Sequence, residues 1–136
     1  MSWEIDVGLI EEWILALDEA TYDQVIAALR LLSEDGPSLG RPLVDSVKAS
    51  RHHHMKELRP GSAGRSEIRI LFAFDPGRRA ILLIAADKSG NWQGWYRKHI
   101  PLADERFDAH LRALKIGNDR LDRLYTTHHE NRQHRL

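Results

Sequence analysis

The sequence contains no cysteine, which excludes a disulfide framework, a zinc site built on thiolates and a cysteine nucleophile. It also has no long hydrophobic run, because the longest, residues 80–86, is about a third of a membrane-spanning helix. The first residues include no positively charged region and no small-residue cleavage site, so we expect no secretory signal. These absences predict a cytoplasmic protein without a membrane partner.

Several motifs of small enzymes are absent as well: a phosphate-binding loop, a Gly-x-Ser-x-Gly elbow, a dinucleotide fingerprint and the grouped carboxylates of a two-metal nuclease. Three adjacent histidines, His52, His53 and His54, are the one candidate metal-binding sequence. In an extended chain His52 and His54 would share a face, but two imidazoles without a nearby carboxylate or thiol make an incomplete site. We therefore expect neither a metal ion nor another cofactor.

The composition is that of one globular domain, since 42% of the 136 residues are hydrophobic and 29% are charged. The net charge is zero, but its distribution is uneven. Residues 1–35 carry nine acidic side chains and one basic one, whereas all eight histidines lie in residues 36–136. This division indicates either two surfaces for different partners, one of them a polyanion, or simply acidic helix surfaces.

Hydrophobic periodicity predicts an α+β domain of order β-α-α-β-β-β-α. Alternating residues indicate strands, and apolar residues three or four positions apart indicate amphipathic helices. In chain order we expect a strand at 3–7, helices at 9–17 and 22–32, strands at 55–59, 67–74 and 80–86, and a helix at 104–117. The last three strands should form an antiparallel meander, and residues 38–53 should be irregular.

The predicted end of the domain depends on two helix signals. Asp104 is a good N-cap for the last helix, and Gly117 followed by Asn118 is expected to end it. Residues 118–136 contain few large apolar side chains. We therefore expect a single domain at residues 1–117 followed by a polar tail at residues 118–136, with fraying over residues 126–136.

Three arginines are expected to converge at one edge of the predicted sheet. Strand alternation puts Arg69 on the face opposite the aromatic stripe of its strand, and Arg59 on the same side as Glu57. Arg65 lies in the loop between the two strands. Guanidinium groups keep their charge and match phosphate oxygens, so this cluster suits a ribose-phosphate. The alternative is that Arg59 pairs with Glu57 or Glu67 as an ordinary surface ion pair.

A second cluster follows the last predicted strand, where residues 87–101 combine aromatic and basic side chains with two glycines. Such a composition suits stacking on nucleobases and contact with phosphates. The candidate site residues in this segment are Lys88, Trp95, Tyr96, Arg97, Lys98 and His99. The alternative is that Trp92 or Trp95 is a core residue of the last helix, because indoles are mostly well buried.

Four features follow one another in the sequence: the run Met55-Lys56-Glu57-Leu58-Arg59, a glycine-containing loop, the run Ile68-Arg69-Ile70-Leu71-Phe72, and an apolar strand followed by a lysine. Together they resemble the RelE/ParE toxin superfamily. The likeness is closest to its HigB-like, phage-derived branch and spans residues 3–115 in element order. It implies a RelE-like fold, in which two N-terminal helices and a C-terminal helix pack on a small, mainly antiparallel β-sheet.

The resemblance also implies the toxin of a type II toxin–antitoxin system, a metal-independent endoribonuclease that cuts messenger RNA on the ribosome. Its implied partners are a helix-turn-helix, HigA-like antitoxin, the ribosome and messenger RNA. A ParE-like inhibitor of DNA gyrase and a catalytically silent, antitoxin-binding domain remain alternatives.

The implied reaction is attack of a ribose 2′-hydroxyl on the adjacent phosphate, which needs a base, cations for the phosphorane and an acid for the leaving oxygen. Arg59 and Arg69 would hold the phosphorane. His99 or Glu57 would be the base, and Lys88 or His99 the acid. The residues expected to bind RNA are Arg65, Trp95, Tyr96, Arg97 and Lys98, with Tyr96 similar in placement to the family's base-stacking aromatic.

Overall fold

The structure, a computed structural model, describes residues 2–62 and 64–134. Its elements are β1 (Glu4–Asp6), α1 (Glu11–Leu15), α2 (Glu19–Asp35), a 3-10 helix (Gly36–Ser38), β2 (Val44–Ser46), β3 (Lys56–Leu58), β4 (Ile68–Phe74), β5 (Arg79–Asp87) and α3 (Trp92–His134). This is the predicted α+β order with one strand, β2, added. None of the described helices is long and apolar enough to cross a membrane.

The strands form one five-stranded sheet in the order β1-β5-β4-β3-β2. β3, β4 and β5 are antiparallel neighbours, which confirms the predicted meander. β2 pairs antiparallel with β3 at one edge, and β1 runs parallel to β5 at the other. The sheet is therefore mainly antiparallel, in agreement with a RelE-like fold.

Helices cover both faces of this sheet. α1 and α2 pack on the face that carries Ile68, Ile70 and Phe72. α3 packs on the opposite face, against Leu71 and Ala73. Successive strand residues point to opposite faces, so the alternation read from the sequence of β4 is confirmed. The face beneath α3 is also the one on which Arg69 was expected.

The prediction of an irregular segment at residues 38–53 is wrong for Val44–Ser46, which forms β2. Three residues are too few to show an alternating pattern, so the sequence alone does not mark this strand. Its position is determined by long-range pairing with β3, in which Asp45 lies opposite Glu57.

The last helix begins earlier than predicted, at Trp92 rather than near Asp104. Its first turn is capped by Asn91, whose side-chain oxygen accepts a hydrogen bond from the Gly94 N–H. Asp104 lies inside α3 and is buried, and its carboxylate accepts a hydrogen bond from the Arg51 N–H. Asp104 therefore ties a preceding loop to α3 and does not cap a helix.

α3 also continues past the predicted end at Gly117 and reaches His134. One glycine inside a helix costs about 1 kcal/mol, which does not end a helix whose other residues favour the conformation. The predicted polar tail is therefore helical over residues 118–134, and its last two residues lie outside the described part. The division into a domain of residues 1–117 and a separate tail stays a prediction.

Candidate active site

The candidate site centres on the carboxylate of Glu57, in the middle of β3, of which only 3% is exposed. Glu57 Oε1 accepts hydrogen bonds from Arg59 Nε and from the Tyr96 hydroxyl, each at 2.9 Å. Arg69 Nε lies 3.3 Å from the same oxygen. One buried carboxylate oxygen thus joins two neighbouring strands to the start of α3.

Arg69 is oriented by its own strand. Its Nη1 donates a hydrogen bond of 2.7 Å to the Ile68 carbonyl oxygen. Its Nε is buried and makes no hydrogen bond of acceptable geometry to a described residue, although Glu57 Oε1 is within 3.3 Å. The attraction between Arg69 and Glu57 is therefore electrostatic rather than a directed hydrogen bond.

Arg59 lies between two carboxylates. Besides its hydrogen bond to Glu57, its Nη2 donates to Asp45 Oδ2 at 3.3 Å. The hydrogen bond to Glu57 raises the pKa of Arg59 above its usual value, so the guanidinium stays charged. Asp45 is not evident as a site residue from the sequence, because pairing between β2 and β3, rather than sequence spacing, brings it to the site.

Tyr96 covers the site from the second turn of α3. Burial first, and the hydrogen bond to Glu57 second, raise the pKa of Tyr96 to about 12, so the phenol is protonated at neutral pH. Lys88 Nζ lies 5.6 Å from the centre of the Tyr96 ring, within the range of a cation–π contact. The Lys88 N–H donates to the Glu67 carbonyl oxygen, which holds this residue at the end of β5.

Glu57, Arg59, Arg69 and Tyr96 form the Glu57 cluster. An open cleft of about 520 Å³, the arginine cleft, lies beside it, where β3 ends and β4 begins. Arg59, Arg65 and Arg69 all line it, as the strand pattern indicates. The alternative ion pair of Arg59 with Glu57 is also present. Arg59 makes this ion pair and lines the cleft together with the other two arginines. The volume is in the range of small-ligand clefts, and the guanidinium groups suit a phosphate.

His99 is not brought into the Glu57 cluster. Its Nδ1 lies 2.7 Å from the Trp95 carbonyl oxygen, and its ring stacks on the Trp95 indole. Trp95 is only 6% exposed and belongs to the core beneath α3, which confirms the core interpretation for one of the two indoles. Trp92 is 56% exposed. A buried Trp95 does not offer its ring to an RNA base, so this placement gives no support to the RNA-binding role expected for it.

Arg97 and Lys98 follow Tyr96 on α3, and both side chains are exposed. They share the helix with Tyr96 but take part in none of the hydrogen bonds around Glu57. Contact of these two cations with RNA stays a prediction.

The three adjacent histidines lie in the loop before β3. His52 Nε2 is 2.8 Å from Asp108 Oδ1 on α3, and its ring packs edge-on against Phe107. In the described part of the chain, no group of three or more His, Asp or Glu side chains is arranged to hold a metal ion. His52 instead has a structural partner on α3 that the sequence does not reveal.

Residues 12–108 match the family model described as phage derived protein Gp49-like. The chain is also similar to two proteins of Mycobacterium tuberculosis (strain H37Rv) that are named as toxins. It is 57% identical to HigB2 over 111 residues, which are 82% of this chain and 55% of that protein. It is 56% identical to HigB3 over 108 residues, 79% of this chain and 92% of that protein.

The chain thus spans about half the length of HigB2 and nearly all of HigB3. The family match extends from α1 into α3 and includes every residue of the Glu57 cluster and of the arginine cleft. The chain belongs to the Gp49-like family of phage-derived proteins, as a HigB-like member.

Proposed function

We propose that this chain is the toxin of a type II toxin–antitoxin system and acts as a metal-independent endoribonuclease on ribosome-bound messenger RNA in the cytoplasm. The observation that carries this proposal is the cleft lined by Arg59, Arg65 and Arg69 beside the buried Glu57. The names of the two relatives, both toxins, support the part of the proposal that makes this chain a toxin.

In the proposed reaction the ribose 2′-oxygen attacks the adjacent phosphorus while the bond from phosphorus to the 5′-oxygen breaks. The base takes the hydroxyl proton and the acid gives a proton to the 5′-oxygen, which leaves a 2′,3′-cyclic phosphate and a 5′-hydroxyl. Arg59 and Arg69 stabilise the extra negative charge of the phosphorane, because their guanidinium groups are already oriented in the cleft.

Glu57 is the better placed of the two candidate bases. Every hydrogen bond and ion pair that the structure shows for its carboxylate is made by Oε1. Oε2 is then the oxygen that accepts the 2′-hydroxyl proton. His99, by contrast, contacts Trp95 and not the arginines.

Lys88 is the proposed acid, since its ammonium group lies next to the Tyr96 ring at the border of the cluster. Tyr96 is the proposed stacking surface for a base, because the hydrogen bond of its hydroxyl to Glu57 fixes the ring. Arg65, Arg97 and Lys98 would contact flanking phosphates.

The proposed partner outside the ribosome is a helix-turn-helix, HigA-like antitoxin. It would dock on the layer of α1 and α2, where Leu15 and Leu31 are exposed large apolar side chains. This layer is opposite α3 and lies within the acidic residues 1–35. An antitoxin and an RNA would therefore meet surfaces of different charge and composition.

Cleavage of messenger RNA on programmed ribosomes tests the proposal. We expect new RNA ends with a 2′,3′-cyclic phosphate in the presence of the purified chain, and loss of those ends with Arg69→Ala. Arg51→Ala is a matched control, because Arg51 pairs with Asp108 outside the cluster. Intact RNA together with inhibition of gyrase supercoiling would instead indicate a ParE-like inhibitor. Intact RNA with unaffected supercoiling would indicate a silent, antitoxin-binding domain.

A further inference from the structure

We propose that Asp45 is a positioning residue of the ribonuclease site, which fixes the guanidinium plane of Arg59 for the scissile phosphate. The inference rests on the proposed ribonuclease function. Asp45 belongs to the edge strand β2, and its contribution is to hold Arg59 rather than to touch the RNA.

Two carboxylates on neighbouring strands hold two different nitrogens of Arg59. Glu57 accepts a hydrogen bond from Nε at 2.9 Å, and Asp45 accepts one from Nη2 at 3.3 Å. The two acids are register partners in the pairing of β2 with β3. A planar guanidinium that is held at two of its nitrogens cannot turn about the bond between Cδ and Nε, so its remaining N–H groups keep a fixed direction.

Asp45 is itself held in place. Its Oδ1 accepts hydrogen bonds from the Ser46 N–H at 2.8 Å and from Arg41 Nε at 3.2 Å, while Oδ2 is the oxygen that binds Arg59. The Ser46 N–H contributes most to lowering the pKa of Asp45, followed by Arg41, so the carboxylate is charged at neutral pH. Arg41 is 78% exposed, and the backbone bond to Ser46 therefore matters more for the position of the carboxylate.

Arg59 and Arg69 are oriented by different means. The Arg69 guanidinium is bonded to the carbonyl of its own strand, whereas Arg59 lies beyond the end of β3 and depends on the two acids. Small errors in the placement of a group that stabilises a transition state cost large factors in rate. We therefore expect the loss of the Asp45 contact to lower kcat by about tenfold, less than the loss of Arg59 itself.

The test is single-turnover and steady-state cleavage by Asp45→Asn, which removes the charge and keeps the shape. We expect kcat to fall about tenfold, with KM changed by less than about twofold and the melting temperature close to that of the wild type. Asp108→Asn is the matched control, because it breaks the ion pair with Arg51 elsewhere on the surface and should leave cleavage unchanged. Asp45→Glu should restore part of the rate.

A double-mutant cycle separates positioning from a general structural effect. If Asp45 acts through Arg59, Asp45→Asn lowers the rate in the wild type but causes no further loss in Arg59→Ala. The NMR signal of the Arg59 Nε–H adds a readout independent of cleavage, since it should exchange with water faster in Asp45→Asn.

A wild-type kcat in Asp45→Asn, or the same loss of rate in the Arg59→Ala background, would overturn the positioning role while the ribonuclease function stands. Absence of cleavage by the wild-type chain on ribosomes would overturn the proposed function and the role of Asp45 with it. The two failures are therefore distinguishable.

Discussion

The Tyr96 hydroxyl donates a hydrogen bond of 2.9 Å to Glu57 Oε1, which ties the start of α3 to the middle of β3. The same oxygen accepts a hydrogen bond from Arg59. A single acceptor thus fixes the ring proposed to stack on a base and the cation proposed to hold the phosphate. This shared acceptor makes the ionisation of Tyr96 a direct probe of the site.

We predict that Glu57→Gln lowers the pKa of Tyr96 from about 12 toward the ordinary value of 10.0. The carboxylate disfavours the phenolate, but burial is the larger cause and remains, so the pKa should stay above 10.0. An ultraviolet absorbance titration measures it, with Tyr96→Phe subtracted to remove the other tyrosines. Glu67→Gln is the control. An unchanged Tyr96 pKa in Glu57→Gln would mean that the hydrogen bond is absent in solution.

The same pKa predicts a loss of stability in alkali. The folded chain holds the Tyr96 proton up to about pH 12, whereas the unfolded chain releases it near 10.0. The contribution of protonated Tyr96 to the free energy of unfolding is therefore complete below pH 10 and is lost as the pH rises toward 12. Urea unfolding across this range should show a steeper fall in the free energy of unfolding for the wild type than for Tyr96→Phe. Parallel curves would contradict the raised pKa.

Arg59 and Arg69 should each be required for the normal cleavage rate. We predict that Arg59→Ala or Arg69→Ala lowers the cleavage rate by about 100-fold, which is typical for the loss of one charged contact to a transition state. Neither side chain is among the fully buried ones, so both variants should fold. Rates are compared with Arg51→Ala at equal soluble concentration. A wild-type rate in either variant would remove that arginine from the site.

The sequence predicts the arginine part of this site because Glu57 and Arg69 lie on regular strands and Arg59 directly follows β3. Alternation in β4 places Arg69 opposite the aromatic stripe, and the same period relates Arg59 to Glu57. These positions follow from local geometry, so the structure brings Arg59, Arg65 and Arg69 into one cleft as the pattern indicates.

The parts that the sequence does not predict depend on distant contacts. β2 has too few residues to show a strand pattern in the sequence, and its position depends on pairing with β3. The place of Asp45 beside Glu57 depends on the same pairing. The N-cap of the last helix is Asn91 rather than Asp104, the residue that the sequence pattern indicated. The early start of α3, at Trp92, brings Tyr96 to Glu57 and leaves His99 against Trp95. The residue at which α3 begins therefore determines which of its side chains reach Glu57.

Chelation of metal ions should leave the reaction intact. The proposed mechanism uses Arg59, Arg69 and Lys88 as its cations, and His52 is engaged with Asp108. We predict equal cleavage rates on ribosomes with and without EDTA, at a magnesium concentration restored to the level that keeps the ribosomes assembled. His52→Ala should also retain the rate. Activity that disappears with EDTA and returns with zinc would show that the histidines bind a catalytic metal.

The distal part of α3 should be dispensable for chemistry. Every residue of the Glu57 cluster lies before residue 97, and Leu121 and Leu124 in the distal part of α3 are exposed. We predict that a chain ending at Asn118 keeps its single-turnover cleavage rate at saturating ribosome, while its helical signal in circular dichroism falls.

We expect a lower affinity of this shortened chain for ribosomes, because the removed segment includes basic side chains that attract RNA in a salt-dependent manner. Affinity at several salt concentrations and the rate at saturation separate the two effects. A 100-fold lower saturated rate, with an unchanged near-ultraviolet spectrum from the buried aromatic residues, would place a residue of segment 119–136 in the active site. The assignment of base and acid to Glu57 and Lys88 would then be wrong.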